Sequence, residues 1–240
     1  MIEYAKLTQD RRTLLALTGL TDKEFSELLP AFETAYEQAQ PAEKTVDGHA
    51  RQRRRGGGRP SVLATPEQKL LFILVYLKTY PLQVVMGALF GMSQAAANQW
   101  IHRLLPIMRE ALRALAVMPE RTGTAFARSE RSRGEPKDYI IDGTERRRQR
   151  PKDPKKQALH YSGKKKAHSD KNVLIVNTRS KRVSYLSPTC AGKTHDKKAA
   201  ELEQIDYPRQ TLLRKDTGFQ GYEPKAVRTQ QPKKSRVAKS

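Results

Sequence analysis

Apolar residues recur at helical spacing through the first part of the chain and switch to strand-type patterning from Lys137. Phe25, Leu28, Leu29, Phe32 and Tyr36 lie three and four apart, which puts them on one face of a helix. Thr21 and Glu24 stand ahead of them as a capping box, each side chain meeting an unpaired N–H of the first turn. This predicts an N-terminal helical segment over 1–50 whose apolar face packs.

Thr65-Pro66-Glu67-Gln68 opens another helix. Thr65 caps, Pro66 fits the first turn without losing a bond, and Gln68 is placed to reach back to the cap. Leu70, Leu71, Ile73, Leu74 and Leu77 carry the helix toward Pro81. A short helix from Leu82 to Phe90 then meets Gly91-Met92-Ser93, and Ser93 caps a third helix from about Gln94 to Leu105. Two helices joined by a glycine-containing turn have the form of a helix-turn-helix. Val85, Ala88 and Leu89 are expected to pack against Ala97, Trp100, Ile101 and Leu104. The other face of the third helix presents Gln94, Asn98, Gln99, His102 and Arg103. Amides pair with adenine edges, and arginine with guanine or phosphate. A plain helical hairpin has the same pattern, and charge is what separates the two readings.

The chain carries 46 basic and 25 acidic residues, a formal net charge of +21. A charge of that size attracts polyanions, which favours DNA over the bare hairpin. Arg53, Arg54, Arg55 and Arg59 cluster within 51–60, a stretch with no apolar residue to bury. It reads equally as a solvated tether or as an arm whose arginines enter a narrow minor groove. The longest apolar run, Leu70 to Leu77, is far short of the ~20 residues a membrane span needs, and the N-terminus lacks a secretory pattern. Cys190 is the only cysteine, so neither an internal disulfide nor a cysteine-based zinc site can form. A cytoplasmic, nucleoid-associated protein is expected.

After an apolar helix remnant (Ile107, Met108, Leu112, Leu115) and a charged stretch from Arg121 to Lys137, strands are predicted at Asp138–Thr144, His160–His168, Asn172–Asn177 and Arg182–Leu186. A helix over Asp196–Gln204 and a strand over Thr211–Asp216 follow. Two of these strands end in aspartates, Asp142 and Asp216. Acids at strand ends lie where layered α/β sheets present ligands, and Mg²⁺ favours such oxygens. Strand-end aspartates also serve as turn residues, so the pair alone is not decisive.

Four ordered motifs add to it: Asp142-Gly143-Thr144-Glu145, Tyr161 through His168, Gly192 through Lys197, and Lys215 through Tyr222. With the helices from Thr65 to Leu105, they make the sequence resemble the DDE endonuclease superfamily of insertion-sequence transposases, and it is similar also to Harbinger-type elements. The resemblance implies an α+β chain: an all-α helix-turn-helix region followed by an α/β RNase H-like domain that cuts and joins DNA with Mg²⁺ or Mn²⁺. It makes Asp142 and Asp216 the first two metal-binding acids. It gives Lys164, Lys165, Lys166 and His168 a phosphate-contacting strand. His195-Asp196 matches a recurrent pair, with Asp196 expected to cap the next helix or to position substrate. The partner implied is double-stranded DNA at transposon ends, bound by a homodimer or higher oligomer.

The resulting division is a helical segment 1–50, a basic linker 51–60, a helix-turn-helix domain 61–120, a linker 121–137, a partial endonuclease domain 138–232 and a basic tail 233–240. In the family the third acid lies on a helix well downstream, whereas 24 residues follow Asp216 here and hold one acid, Glu223, in a proline-bounded turn. The tail from Lys225 is expected to hold neither strand nor helix. These features lead to the expectation of a truncated or frameshift-split transposase, weak in metal binding and cleavage on its own. A non-catalytic fragment that occupies transposon ends and inhibits the full-length enzyme is the alternative. An RNA-binding basic protein explains the charge but not the motifs.

Overall fold

A computed structural model describes residues 2–40, 49–50, 61–225 and 227–232. The chain divides into two units, Met1–Val117 and Met118–Ser240, each with its own apolar core.

The first unit is helical: α1 Tyr4–Leu7, α2 Arg11–Thr18, α3 Asp22–Ala39, α4 Pro66–Thr79, α5 Gln83–Phe90 and α6 Gln94–Ala114. The capping box forms at α3, where the Thr21 hydroxyl accepts from Glu24 N at 3.3 Å and the Glu24 carboxylate accepts from Thr21 N at 2.8 Å. Residues Leu70 to Val75 of α4 are all buried, as befits a helix apolar around its whole circumference. Phe72 meets Phe90 edge to face at 4.9 Å between ring centroids.

Three expectations are corrected here. Gln68 does not turn back to Thr65. Its amide donates to Ile2 O at 2.6 Å and accepts from Tyr4 N at 2.9 Å, tying the N-terminal segment to α4. In α5 the buried residues are Met86, Gly87 and Phe90, while Val85 and Ala88 are exposed, because Gly87 rather than a larger neighbour meets the turn. And α6 does not stop at Leu105. Pro106 removes one backbone bond, yet Ile107, Met108 and Ala111 bury themselves in the core and carry the helix to Ala114.

The second unit starts with α7, Gly123–Ser132, inside the stretch expected to be a linker. Thr122 caps it, and its charges mask an inward face of Phe126, Ala127 and Glu130. The buried Glu130 carboxylate accepts from Tyr139 Oη at 2.8 Å and Arg182 Nη2 at 2.7 Å, which fixes α7 to the sheet. Burial and that carboxylate push the Tyr139 hydroxyl well above its ordinary pKa.

Next come β1 Asp138–Arg147, α8 Pro154–His160, β2 Tyr161–Ser162, β3 Ala167–Asn177, β4 Val183–Leu186, β5 Cys190–Ala191, α9 Asp196–Leu202, β6 Thr211–Lys215 and β7 Val227–Gln230. β1 pairs antiparallel with β3 on one side and parallel with β6 on the other, and β7 extends the sheet parallel to β6. The far edge of β3 is taken in turn by β2, β5 and β4. Helices followed by this mixed sheet make the chain α+β, as expected. The tail is not devoid of structure, since β7 lies within it. Nor does β1 end at Asp142. It runs on to Arg147, because Gly143 and Glu145 continue the inward face begun by Tyr139 and Ile141.

Candidate nucleic-acid interface and metal centre

In the helical unit, α5 and α6 are joined by a tight turn that only small residues allow. Gly91 takes a left-handed φ of +67°, and a Cβ on Gly87 would lie 2.6 Å from Met92 O. The Ser93 hydroxyl accepts from Ala96 N at 3.2 Å and fixes the start of α6. Ala97, Ile101 and Leu104 are buried, so the helix is oriented with its polar side outward. Gln94, Gln99, His102 and Arg103 are exposed there, and Asn98 is half-buried. Arg103 stacks over the Trp100 ring at 4.9 Å, which restrains its guanidinium one turn from Gln99. The arm residues Arg53, Arg54, Arg55 and Arg59 lie outside the described residues.

In the sheet unit, the parallel register of β1 and β6 pairs Ile141 with Lys215. The next residues are Asp142, still in β1, and Asp216, just past the end of β6, which brings the two acids to neighbouring positions. Asp142 is exposed and accepts from Gly143 N at 2.7 Å. Asp216 accepts from Gly218 N at 2.9 Å and caps the short turn Thr217–Phe219. Both bonds use Oδ1, and a carboxylate has lone pairs beyond these.

Asp196 reaches the same place. It does not cap α9: the cap position is His195, which makes no side-chain cap bond, and Asp196 is the first helical residue. Its Oδ1 accepts from Lys171 Nζ at 2.7 Å. A Cβ on Gly143 would lie 2.6 Å from Asp196 Oδ1, and one on Gly218 would lie 2.8 Å from Asp196 Oδ2 and 3.1 Å from Asp216 Oδ1. Gly218 therefore makes room for Asp196 to approach Asp216, and Gly143 makes room for it on the inward face of β1, opposite the side chain of Asp142.

Two adjacent carboxylates, with space kept open by missing side chains, match what a hard divalent ion takes, usually one or two carboxylates plus water and substrate phosphate. Among the described residues no group of three or more His, Cys, Asp or Glu side chains forms a metal cage. Glu223 is engaged elsewhere, accepting from Lys215 Nζ at 2.5 Å and Thr229 Oγ1 at 2.7 Å, and its pKa is lowered by those two bonds.

The basic segment differs in form from the expected strand. Lys164, Lys165 and Lys166 occupy the turn between β2 and β3, with Lys166 at φ +49°, and only His168 lies in β3. His168 meets the Tyr161 ring at 5.6 Å, and both line a groove with Arg150, Gln157 and Lys193. Arg150 and Lys193 gave no sequence signal for this groove: Arg150 is one of many cations in the run Arg146–Lys152, and Lys193 stands outside any run. Lys171 and Glu145 were missed too. They are cross-strand partners in β1 and β3, and only the register shows it.

Among the described residues no helix is long and apolar enough to cross a membrane. Neither a curated protein nor a solved structure matches the chain. Two family models do match: "Helix-turn-helix of DDE superfamily endonuclease" over residues 61–114 and "DDE superfamily endonuclease" over residues 141–239. The first spans α4, α5 and α6, and the second takes in Asp142, Asp196 and Asp216. The family implies dependence on a divalent metal ion, and the helix-turn-helix implies DNA binding. With both models matched in order across more than half of its length, the chain belongs to the DDE superfamily, as a transposase with an N-terminal helix-turn-helix.

Proposed function

We propose that this transposase recognises the duplex ends of its own element through α6, with Gln94, Asn98, Gln99 and Arg103 facing the DNA, and that Asp142 and Asp216 hold Mg²⁺ or Mn²⁺ for phosphodiester cleavage and joining. The observation that carries the second half is the Ile141–Lys215 register, which sets the two acids at the same level of neighbouring strands. A divalent ion there would supply Lewis acidity at the reacting phosphate. The residues' own part is to fix its position and, through the lysine turn and His168, to receive backbone phosphates. Two copies are proposed to act together, because transposition brings two DNA ends to one complex.

The test separates recognition from metal binding. Asn98→Ala and Arg103→Ala should each weaken binding to a duplex cut from the ends of the encoding element by about 10-fold or more, since a good base contact is worth about 1–3 kcal/mol. Asp142→Asn and Asp216→Asn should leave that binding intact and abolish Mn²⁺ binding measured on the free protein. Unchanged Mn²⁺ affinity in both variants would remove the metal assignment. Light scattering of the DNA complex reports the copy number, and a single chain per two ends would refute pairing.

A further inference from the structure

Lys171 is 5% exposed, on the core-facing side of β3, and the chemistry proposed above leaves it without a task. An ammonium is costly to bury unless its three donors are matched. Here they are: Thr194 O at 2.8 Å, Asp196 Oδ1 at 2.7 Å and Glu145 Oε1 at 3.2 Å. Burial works against the charge, but the bonds and charges of Asp196 and then Glu145 outweigh it, so the lysine pKa is raised. Glu145 is itself steadied by Ser169 Oγ at 3.2 Å.

The three acceptors come from β1, the loop before α9, and the first residue of α9. Those elements meet on the inward face of the sheet, next to Gly143 and Gly218. Of the two carboxylates among the three acceptors, the one that extends beyond the ammonium toward Asp216 is Asp196, whose Oδ2 shares with Asp216 Oδ1 the space a Gly218 Cβ would fill. A lysine that only neutralised core charge would have no reason to grip the start of α9 twice.

We propose that Lys171 is a positioning residue: its ammonium, oriented by Glu145, locks the Asp196 carboxylate between Gly143 and Gly218 as a fixed negative group beside Asp216, one member of the Asp142–Asp216 pair. This rests on reading that pair as the metal-binding acids. Lys171 acts through Asp196 and has no contact with the ion or the DNA.

The test uses the full chain without DNA. Mn²⁺ is titrated by the paramagnetic resonance of the free ion, and circular dichroism checks folding. Lys171→Met and Asp196→Asn should each weaken Mn²⁺ binding about 10- to 100-fold, the range typical of outer partners of metal ligands. Lys171→Arg, which keeps the charge, should fall between wild type and Lys171→Met. The double variant should bind no more weakly than Asp196→Asn alone, because both changes remove one function. Wild-type Mn²⁺ affinity in folded Lys171→Met, or fully additive losses in the double variant, overturns the proposal. If Lys171→Met does not fold, Asp196→Asn and Lys171→Arg decide it, and wild-type affinity in both overturns it. If the wild type binds no Mn²⁺, the metal reading fails separately, and metal-free hydrogen exchange decides here. Faster exchange at the start of α9 in Lys171→Arg supports the positioning role, and unchanged exchange there overturns it.

Discussion

The two units are held by different kinds of interior. The helical unit buries Leu14, Phe25, Phe32, Phe72, Phe90 and their neighbours, an interior of almost unbroken hydrocarbon and aromatic contact. The sheet unit has an apolar core as well, but threads charge through it: Glu130 with Tyr139 and Arg182, Lys171 with Glu145 and Asp196, and the buried Lys215 reaching out to the exposed Glu223. Apolar burial is non-directional and stabilises in proportion to area. Buried ion pairs add little net stability, yet breaking one by removing a single partner is strongly destabilising. The first interior suits a rigid platform for α6. The second suits a place where side chains must be aimed.

The sharpest way to break that comparison is to exchange the chemistry in each unit. Phe72→Ala should cost about 3–5 kcal/mol, the usual loss for a buried phenylalanine. Trp100, the chain's one tryptophan, lies in the helical unit and reports it by fluorescence during urea unfolding. A loss below about 1 kcal/mol would mean that this core repacks freely. In the sheet unit Glu130→Ala should cost about 3 kcal/mol, because it leaves the Tyr139 hydroxyl without its carboxylate and Arg182 with only the more distant Glu135 at 3.8 Å. Hydrogen exchange of the β1 and β3 amides measures it. Glu130→Ala behaving as a neutral surface change would erase the distinction between the interiors.

A smaller effect is expected at the α5–α6 turn. Gly87→Ala places a methyl 2.6 Å from Met92 O, and overpacking of that kind costs about 1–3 kcal/mol. The same Trp100 signal reads it. The smallest concerns acid. Burial tends to raise the Glu145 pKa, but bonds from Ser162, Lys171 and Ser169 and the Lys171 charge lower it overall. A depressed carboxylate stabilises the fold above its unfolded value, near 4.5, and that contribution disappears as pH falls through the lower folded value. The sheet unit's stability should therefore drop on acidification below about pH 4.5, and Glu145→Gln should flatten that part of the profile. An unaltered profile in Glu145→Gln would assign the acid response to other carboxylates.

What the sequence made legible follows from the same contrast. The capping box at Thr21 and Glu24 and the start of α4 at Thr65-Pro66 are local, and each was readable from a few adjacent residues. The family motifs singled out Asp142 and Asp216, but not that register would set them side by side. Helix α8 carried its own signal, Asp153 capping ahead of Pro154, hidden within a run of charges. Helix α7 was harder, since its inward face holds only Phe126 and Ala127 among apolar side chains and a buried glutamate completes it. Lys171 could not be found by pattern at all. Alternation marks it as a core-facing position, its chemistry marks it as solvent-facing, and only the partners brought by β1 and α9 resolve the conflict.

The tiling of β3 has a consequence for how the protein behaves in a crowded solution. A long strand with a bare edge is a template for another chain's strand, and that is how sheets aggregate. β3 is eleven residues long, yet β2, β5 and β4 occupy successive stretches of its outer edge. The opposite border of the sheet is β7, four residues long and carrying Arg228. Among the described residues, neither border offers an intruding strand a long flat run of free hydrogen-bonding groups. A chain with +21 net charge, disposed to gather along polyanions, thus gathers there with short or covered strand edges that disfavour strand-to-strand growth.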